Sequence, residues 1–163
     1  MTTNARTLTI TTPSDREIAM TRVFDAPRHL VYEAFTKPEL VKRWLGVFGG
    51  WSLVTCEMDV RVGGRYRWEW SKPGVKSMGV SGVYREVVRP DRLVATEQFD
   101  DPWYEGEALG TTTFVEAGGQ TTMVQTMRYT SREVRDAVLR SPMEKGVAAS
   151  YDKLAEVLAS QTA

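Results

Sequence analysis

The stretch from Ser141 to Leu158 constrains this chain more than any other. It opens Ser141-Pro142-Met143-Glu144. In that order the serine can accept from the N–H groups of a first turn. The proline has its φ preset for the first helical position, and the glutamate can reach back to complete a capping box. Val147, Tyr151, Leu154 and Leu158 then recur at spacings of four, three and four, which places them in one apolar stripe. Ala148, Ala149, Ala155 and Ala159 widen the stripe, while Lys145, Asp152, Lys153 and Glu156 stay off it. The spacing predicts one long amphipathic helix with a single face to bury. Most of the remaining chain reads as strands, so a sheet must do the burying. Anything this protein binds is expected between that helix and that sheet.

The strands follow from alternation. Met1 to about Thr12 is Thr-rich; Leu8 and Ile10 form a short added strand there, or the segment is loose. Glu17 to Phe24 sets Ile18, Met20 and Arg22 against Ala19, Thr21 and Val23. Two short helices come next. Pro27 opens the first, with Leu30, Val31, Ala34 and Phe35 as its face. Pro38 opens the second, with Leu40, Val41, Trp44 and Leu45 as its face, and Gly46 ends it. Six candidate strands follow, separated by turn residues. In Ser52–Asp59, Val54, Cys56 and Met58 share one side. In Arg65–Trp70, Tyr66, Trp68 and Trp70 point inward. Lys76–Val88 carries Met78, Val80, Gly82 and Tyr84 on one face, and Arg92–Phe99 carries Leu93, Ala95 and Phe99 against Arg92, Thr96 and Gln98. Ala108–Glu116 and Thr121–Tyr129 form a hairpin about Gly118-Gly119, and Thr130-Ser131-Arg132-Glu133 is a second capping-box pattern opening a short helix. Strands joined by such short turns make an antiparallel meander, and six of them curl as they twist.

These segments carry a resemblance. Arg22-Val23-Phe24-Asp25-Ala26-Pro27, Thr36-Lys37-Pro38-Glu39-Leu40 with Trp44, Asp59-Val60-Arg61-Val62-Gly63-Gly64, Gly82-Val83-Tyr84-Arg85-Glu86 and Pro90-Asp91-Arg92-Leu93 occur in that order. Together they resemble the START-like helix-grip (SRPBCC) superfamily, and within it the group named after the C-terminal domain of the activator of heat-shock protein 90 ATPase. The resemblance runs from about Ile18 to Leu158. It implies an α+β helix-grip fold: a seven-stranded curved antiparallel sheet around a long C-terminal helix, with an internal cavity. The expected organisation is an extension over 1–16 and a single domain over 17–160. The superfamily includes lipid carriers, aromatic polyketide cyclases and hormone receptors, so the resemblance implies fold more firmly than function.

Charge and composition exclude several classes. The 21 basic and 21 acidic side chains balance, which argues against a nucleic-acid partner and against a polybasic membrane anchor. No apolar run is long enough to span a membrane and the N-terminus is polar, so membrane insertion is not expected and the cytoplasm is the expected location. Cys56 is alone and sits among apolar neighbours, which reads as an inert thiol. One histidine, His29, on a helix surface, and one cysteine assemble no zinc site, and no cofactor motif is present. A homodimer is compatible with the sequence.

Chemistry is therefore sought where polar residues share the parity of apolar ones. Glu86 falls with Met78, Val80 and Tyr84; Glu97 falls with Leu93, Ala95 and Phe99; Gln125 lies between Met123 and Met127. A carboxylate facing an apolar interior must be paired, hydrogen-bonded or protonated. Either bulges turn these groups outward, or arginine side chains (Arg61 for Glu97) and waters satisfy them, or they line a cavity and orient a guest. Trp44, Trp68, Trp70, Phe99, Met127, Tyr129, Met143 and Val147 are the candidates for the apolar wall, each equally suited to plain core packing. The expected function is enclosure of a hydrophobic or aromatic small molecule. Two alternatives stand beside it: a cyclase-like enzyme using Tyr84, Glu86, Glu97 and Gln125, and a co-chaperone that stimulates a heat-shock ATPase. The eukaryotic activators carry a further N-terminal domain, which about 17 residues ahead of the match would not supply.

Overall fold

A computed structural model describes residues 8–102 and 104–162. The first part of the predicted extension, residues 1–7, lies outside them. The strands are β1 (Thr9–Thr11), β2 (Glu17–Phe24), β3 (Ser52–Met58), β4 (Arg65–Lys72), β5 (Val75–Val88), β6 (Arg92–Phe99), β7 (Ala108–Ala117) and β8 (Gln120–Arg128). The helices are α1 (Arg28–Thr36), α2 (Pro38–Val41), α3 (Arg132–Arg140) and α4 (Met143–Thr162).

All eight strands form one antiparallel sheet in the order β1-β2-β8-β7-β6-β5-β4-β3. Seven are the expected ones, and β1 is the short added strand, pairing Ile10 with Met20 of β2. From β3 to β8 the chain is a simple meander, because every connection is a short turn or loop. The exception is β2. Its partner is the last strand, so α1 and α2 carry the chain from one end of the sheet to the other. The corner they form is pinned by Trp44, whose indole N–H donates to Ala34 O at 2.8 Å.

The long helix lies on the concave face. Tyr151, Leu154, Val157 and Leu158 pack with Phe24 of β2, Leu93 of β6, Phe114 of β7 and Met123 of β8 in the main core. At 5% exposure Arg22 is nearly as buried as these, and its guanidinium meets Asp152 of α4 at 2.9 Å. This ion pair ties the first full strand to the helix.

Local capping differs from expectation in two places. The helix begins at Met143, and Ser141 turns backward: its hydroxyl donates to Val138 O, closing α3. At the start of α3, Ser131 is the cap, accepting from Val134 N at 3.1 Å, while the Thr130 hydroxyl donates to Glu105 O. At Thr130-Ser131 two adjacent hydroxyls compete for one role and the loop path decides between them, whereas Ser141 alone closes the preceding helix instead of opening the next.

Bulges account for two reversed faces. A shift between Leu53 and Thr55 leaves Leu53 buried at 7% and turns Val54 out at 58%. A shift between Tyr84 and Glu86 has the same effect on β5. Thr96, expected in solvent, is buried; its hydroxyl accepts from Val83 N at 2.9 Å. Close by, the Tyr66 hydroxyl donates to Thr96 O at 2.7 Å. Any side chain at Gly82 would collide with that carbonyl and with the Tyr66 ring, so glycine is required there.

Candidate functional site

The helix and sheet do not close on each other along their whole length. Beneath the N-terminal half of α4 a partly open cavity of about 420 Å³ remains, and its wall is mostly apolar. Among the described residues four tryptophans border it, Trp44, Trp51, Trp68 and Trp70. Phe99 and Tyr129 stand on the sheet side with Met127, and Met143 and Val147 come down from the helix.

The wall is held by hydrogen bonds among the lining residues themselves. The Trp70 indole N–H donates to Leu45 O at 2.9 Å, in the loop after α2. The next residue, Gly46, has φ of +68° and donates its N–H to Ser150 Oγ of α4 at 3.0 Å. A side chain at Gly46 would strike the Trp70 ring, so the loop can seat that ring only with glycine there. Across the cavity the Tyr151 hydroxyl donates to Gln125 Oε1 at 2.9 Å. Gln125 is thus a cavity residue whose oxygen is already bonded to the helix.

Glu97 reaches the same space from β6. The exposed area it retains borders the cavity, and the surrounding protein desolvates the carboxyl. That burial pushes it up from its ordinary value near 4.5 to about 7, partly opposed by a hydrogen bond with the Tyr104 hydroxyl. Among the described residues no cation offsets the burial; Arg61, for one, pairs with Asp59 at 2.9 Å. Tyr104 stands edge-on to Tyr129, ring centres 5.6 Å apart, and to Phe99 at 6.3 Å. Burial raises the phenols of Tyr104 and Tyr129 above the usual tyrosine range.

Two predicted site residues lie elsewhere. Glu86 does not reach the cavity. The bulge after Tyr84 turns it into solvent, where Arg92 Nε sits 3.2 Å away. Tyr84 is buried but borders a smaller adjoining space of about 80 Å³, with Leu93 and Thr112. The other ten, Trp44, Trp68, Trp70, Glu97, Phe99, Gln125, Met127, Tyr129, Met143 and Val147, all border the larger one. Sequence reasoning missed Tyr104, which sits in an irregular loop where no periodicity points to it. It also missed Phe48 and Trp51, which follow α2 and close the cavity from the corner side. Their only signal was an aromatic density in a Gly-rich connection.

Reactive groups are sparse. Burial holds the Cys56 thiol above its usual range, opposed by Lys42 and reinforced by Glu39, so it is a poor nucleophile. His29 is exposed on α1. Among the described residues no cluster of His, Cys, Asp or Glu could hold a metal ion, and no helix is long and apolar enough to cross a membrane.

The architecture has counterparts among solved structures. A Rhodobacter sphaeroides protein is 29% identical, with 94% of this chain and 98% of that chain covered and a TM-score of 0.88. Protein CV1439 from Chromobacterium violaceum is 25% identical over 89% of this chain and 98% of that one, with a TM-score of 0.72. Protein Ms6760 from Mycobacterium smegmatis, at 18% identity, covers 95% of this chain and 99% of that one with a TM-score of 0.83, a likeness of fold alone. No curated protein sequence matches the chain. Residues 25–159 do match one family description, and that span takes in the helical corner, the whole meander and nearly all of α4: the chain belongs to the family described as Activator of Hsp90 ATPase homolog 1-like protein.

Proposed function

We propose that this protein binds a hydrophobic or aromatic small molecule in the cavity between its sheet and α4. Family membership supports a ligand-binding or co-chaperone-like role, and the cavity favours the first. The observation that carries the reading is a mostly apolar space of about 420 Å³ whose polar edge is confined to a few groups, Glu97 and Gln125 among them. Small-molecule pockets combine an apolar wall with a few polar groups in this way. A space of this size is costly to leave unfilled in a folded core, so it is expected to have an occupant.

Tryptophan fluorescence provides the test, because four indoles border the space. Titration with decan-1-ol is expected to give a saturable change that Val147→Trp abolishes by filling the cavity. A linear, unsaturable response in the unaltered protein would overturn the reading.

One observation supports a second reading. A carboxyl with a pKa of about 7 inside a cavity is suited to proton transfer, as a cyclase-like enzyme requires. Under that reading Glu97→Gln abolishes turnover of a reactive polyketone while decan-1-ol binding persists.

A further inference from the structure

The lining has a sign as well as a shape. Among the described residues that border the cavity and its smaller neighbour there is no lysine, arginine or histidine, and Glu97 is the single acidic group. Among the other polar atoms of the lining the Trp68 indole N–H, a neutral donor, has no partner, whereas two oxygens are already engaged. Gln125 Oε1 accepts from Tyr151, and Ser150 Oγ accepts from Gly46 N. Around the carboxyl stand Trp68, Phe99, Tyr104 and Tyr129, the last three linked edge to face. One carboxyl among aromatic rings, with no competing cation, is the arrangement that attracts a positive charge carried on an apolar body. For an anionic guest the same wall offers no counter-ion.

We propose that the cavity selects lipophilic amines and related organic cations, the nitrogen beside Glu97 and the hydrocarbon body against the tryptophan wall under α4. This rests on the ligand-binding reading above and narrows it to one chemical class. Fatty acids and other lipid anions are excluded by charge, although their apolar parts would fit.

Titration adds a signature. The titratable groups facing Glu97 are Tyr66 on β4, Tyr104 in the loop after β6 and Tyr129 after β8. Burial raises all three phenols, so they stay neutral near neutrality. The lining residues of β5, β7, β8, α3 and α4 include no charged side chain. Glu97 is therefore the one lining group whose charge changes around pH 7. A bound ammonium favours its ionised form, so amine binding releases a proton and strengthens as the pH rises. By reciprocity, a cation that lowers a carboxyl pKa by one unit or more is itself bound about tenfold tighter or better by the ionised form.

The test compares three probes of one shape, decylamine, decan-1-ol and decanoate, by tryptophan fluorescence with the full chain. Decylamine is expected to bind about tenfold tighter than decan-1-ol at about pH 8.5, and decanoate weaker than both. Its affinity should rise about tenfold from about pH 5.5 to 8.5, and Glu97→Gln should remove both that slope and the preference for the amine. The melting temperature of the variant checks that it is folded, and the three-probe ranking in unaltered protein stands without it. Decan-1-ol binding as tightly as decylamine, or decanoate binding tightest, overturns the amine assignment and leaves the apolar cavity reading intact. Binding of none of the three overturns both.

Discussion

The two halves of α4 rest on the same curved sheet and meet it differently. Over the C-terminal half, Tyr151, Leu154, Val157 and Leu158 are all at most 5% exposed and pack into the main core, Tyr151 at the edge of the cavity. There the rings interlock: Phe35 lies 4.9 Å from Trp44 and 5.3 Å from Phe114, and Phe114 lies 5.7 Å from Tyr32. Over the N-terminal half, Met143, Gly146 and Val147 are only half-buried and border the cavity. Both halves are lined with large apolar residues, so composition does not separate them. The difference lies in where the large groups are anchored. The Trp70 indole is bonded to the Leu45 carbonyl, the Tyr151 hydroxyl to Gln125, and the helix presents glycine at position 146. Side chains held at the edge cannot collapse into the centre, so the space under this half of the helix stays open.

The largest expected effect is at the boundary between the two halves. Trp44 is 2% exposed and belongs to both the packed core and the cavity wall. Trp44→Ala should cost about 3–5 kcal/mol in urea unfolding, because it leaves a hole and unpairs the Ala34 carbonyl. A loss below about 1 kcal/mol would mean that the corner relaxes and the two halves are not held by a common wall.

Paired truncations on the helix sharpen the contrast. Leu154→Ala, at a fully buried site, should cost about 2–5 kcal/mol, whereas Val147→Ala, beside existing empty space, should cost about 1 kcal/mol or less. Equal losses would show that the cavity half is as tightly packed as the other.

Acidity separates the halves next. Glu97 has its folded pKa raised from about 4.5 to about 7, so the folded state favours its protonated form. The stability it contributes is complete below about pH 4.5 and is lost as the pH rises through about 7. Measured as the difference between the unaltered protein and Glu97→Gln, the loss should amount to roughly 3 kcal/mol between those limits. Taking the difference is essential, because Glu69 and Asp100 are held below their usual ranges by hydrogen bonds, Glu69 from Thr55 and then Arg67, Asp100 from Arg67, and so act in the opposite direction. A pH-independent difference would place the Glu97 carboxyl in water.

The smallest effect is the most local. A methyl group at Gly146 would meet Phe48 at 3.5 Å, an ordinary contact, within a helix that glycine weakens. Gly146→Ala should stabilise the protein by about 0.5–1 kcal/mol and slightly weaken decan-1-ol binding. Destabilisation would show that the cavity half needs the flexibility of glycine.

Most of the wall was legible because strand parity survives wherever the ladder is regular. Trp68, Trp70, Gln125, Met127 and Glu97 all fall on the face that alternation predicts. Glu86 and Val54 fail for the opposite reason: a bulge adds one residue to a strand, and every later side chain changes face. Tyr104 was not legible at all, since a loop residue acquires its direction only from what it packs on.

The sequence alone determined the elements, their order and the amphipathic helix that demands a sheet. These are local properties, set by period, proline, glycine and turn chemistry within a few residues. Only the tertiary structure decided that β2 pairs with β8, that the carboxyl of Glu97 has no cation beside it, and that the helix is packed at one end and hollow under the other. Each of these depends on which distant groups share a space, and a void in particular leaves no pattern along the chain.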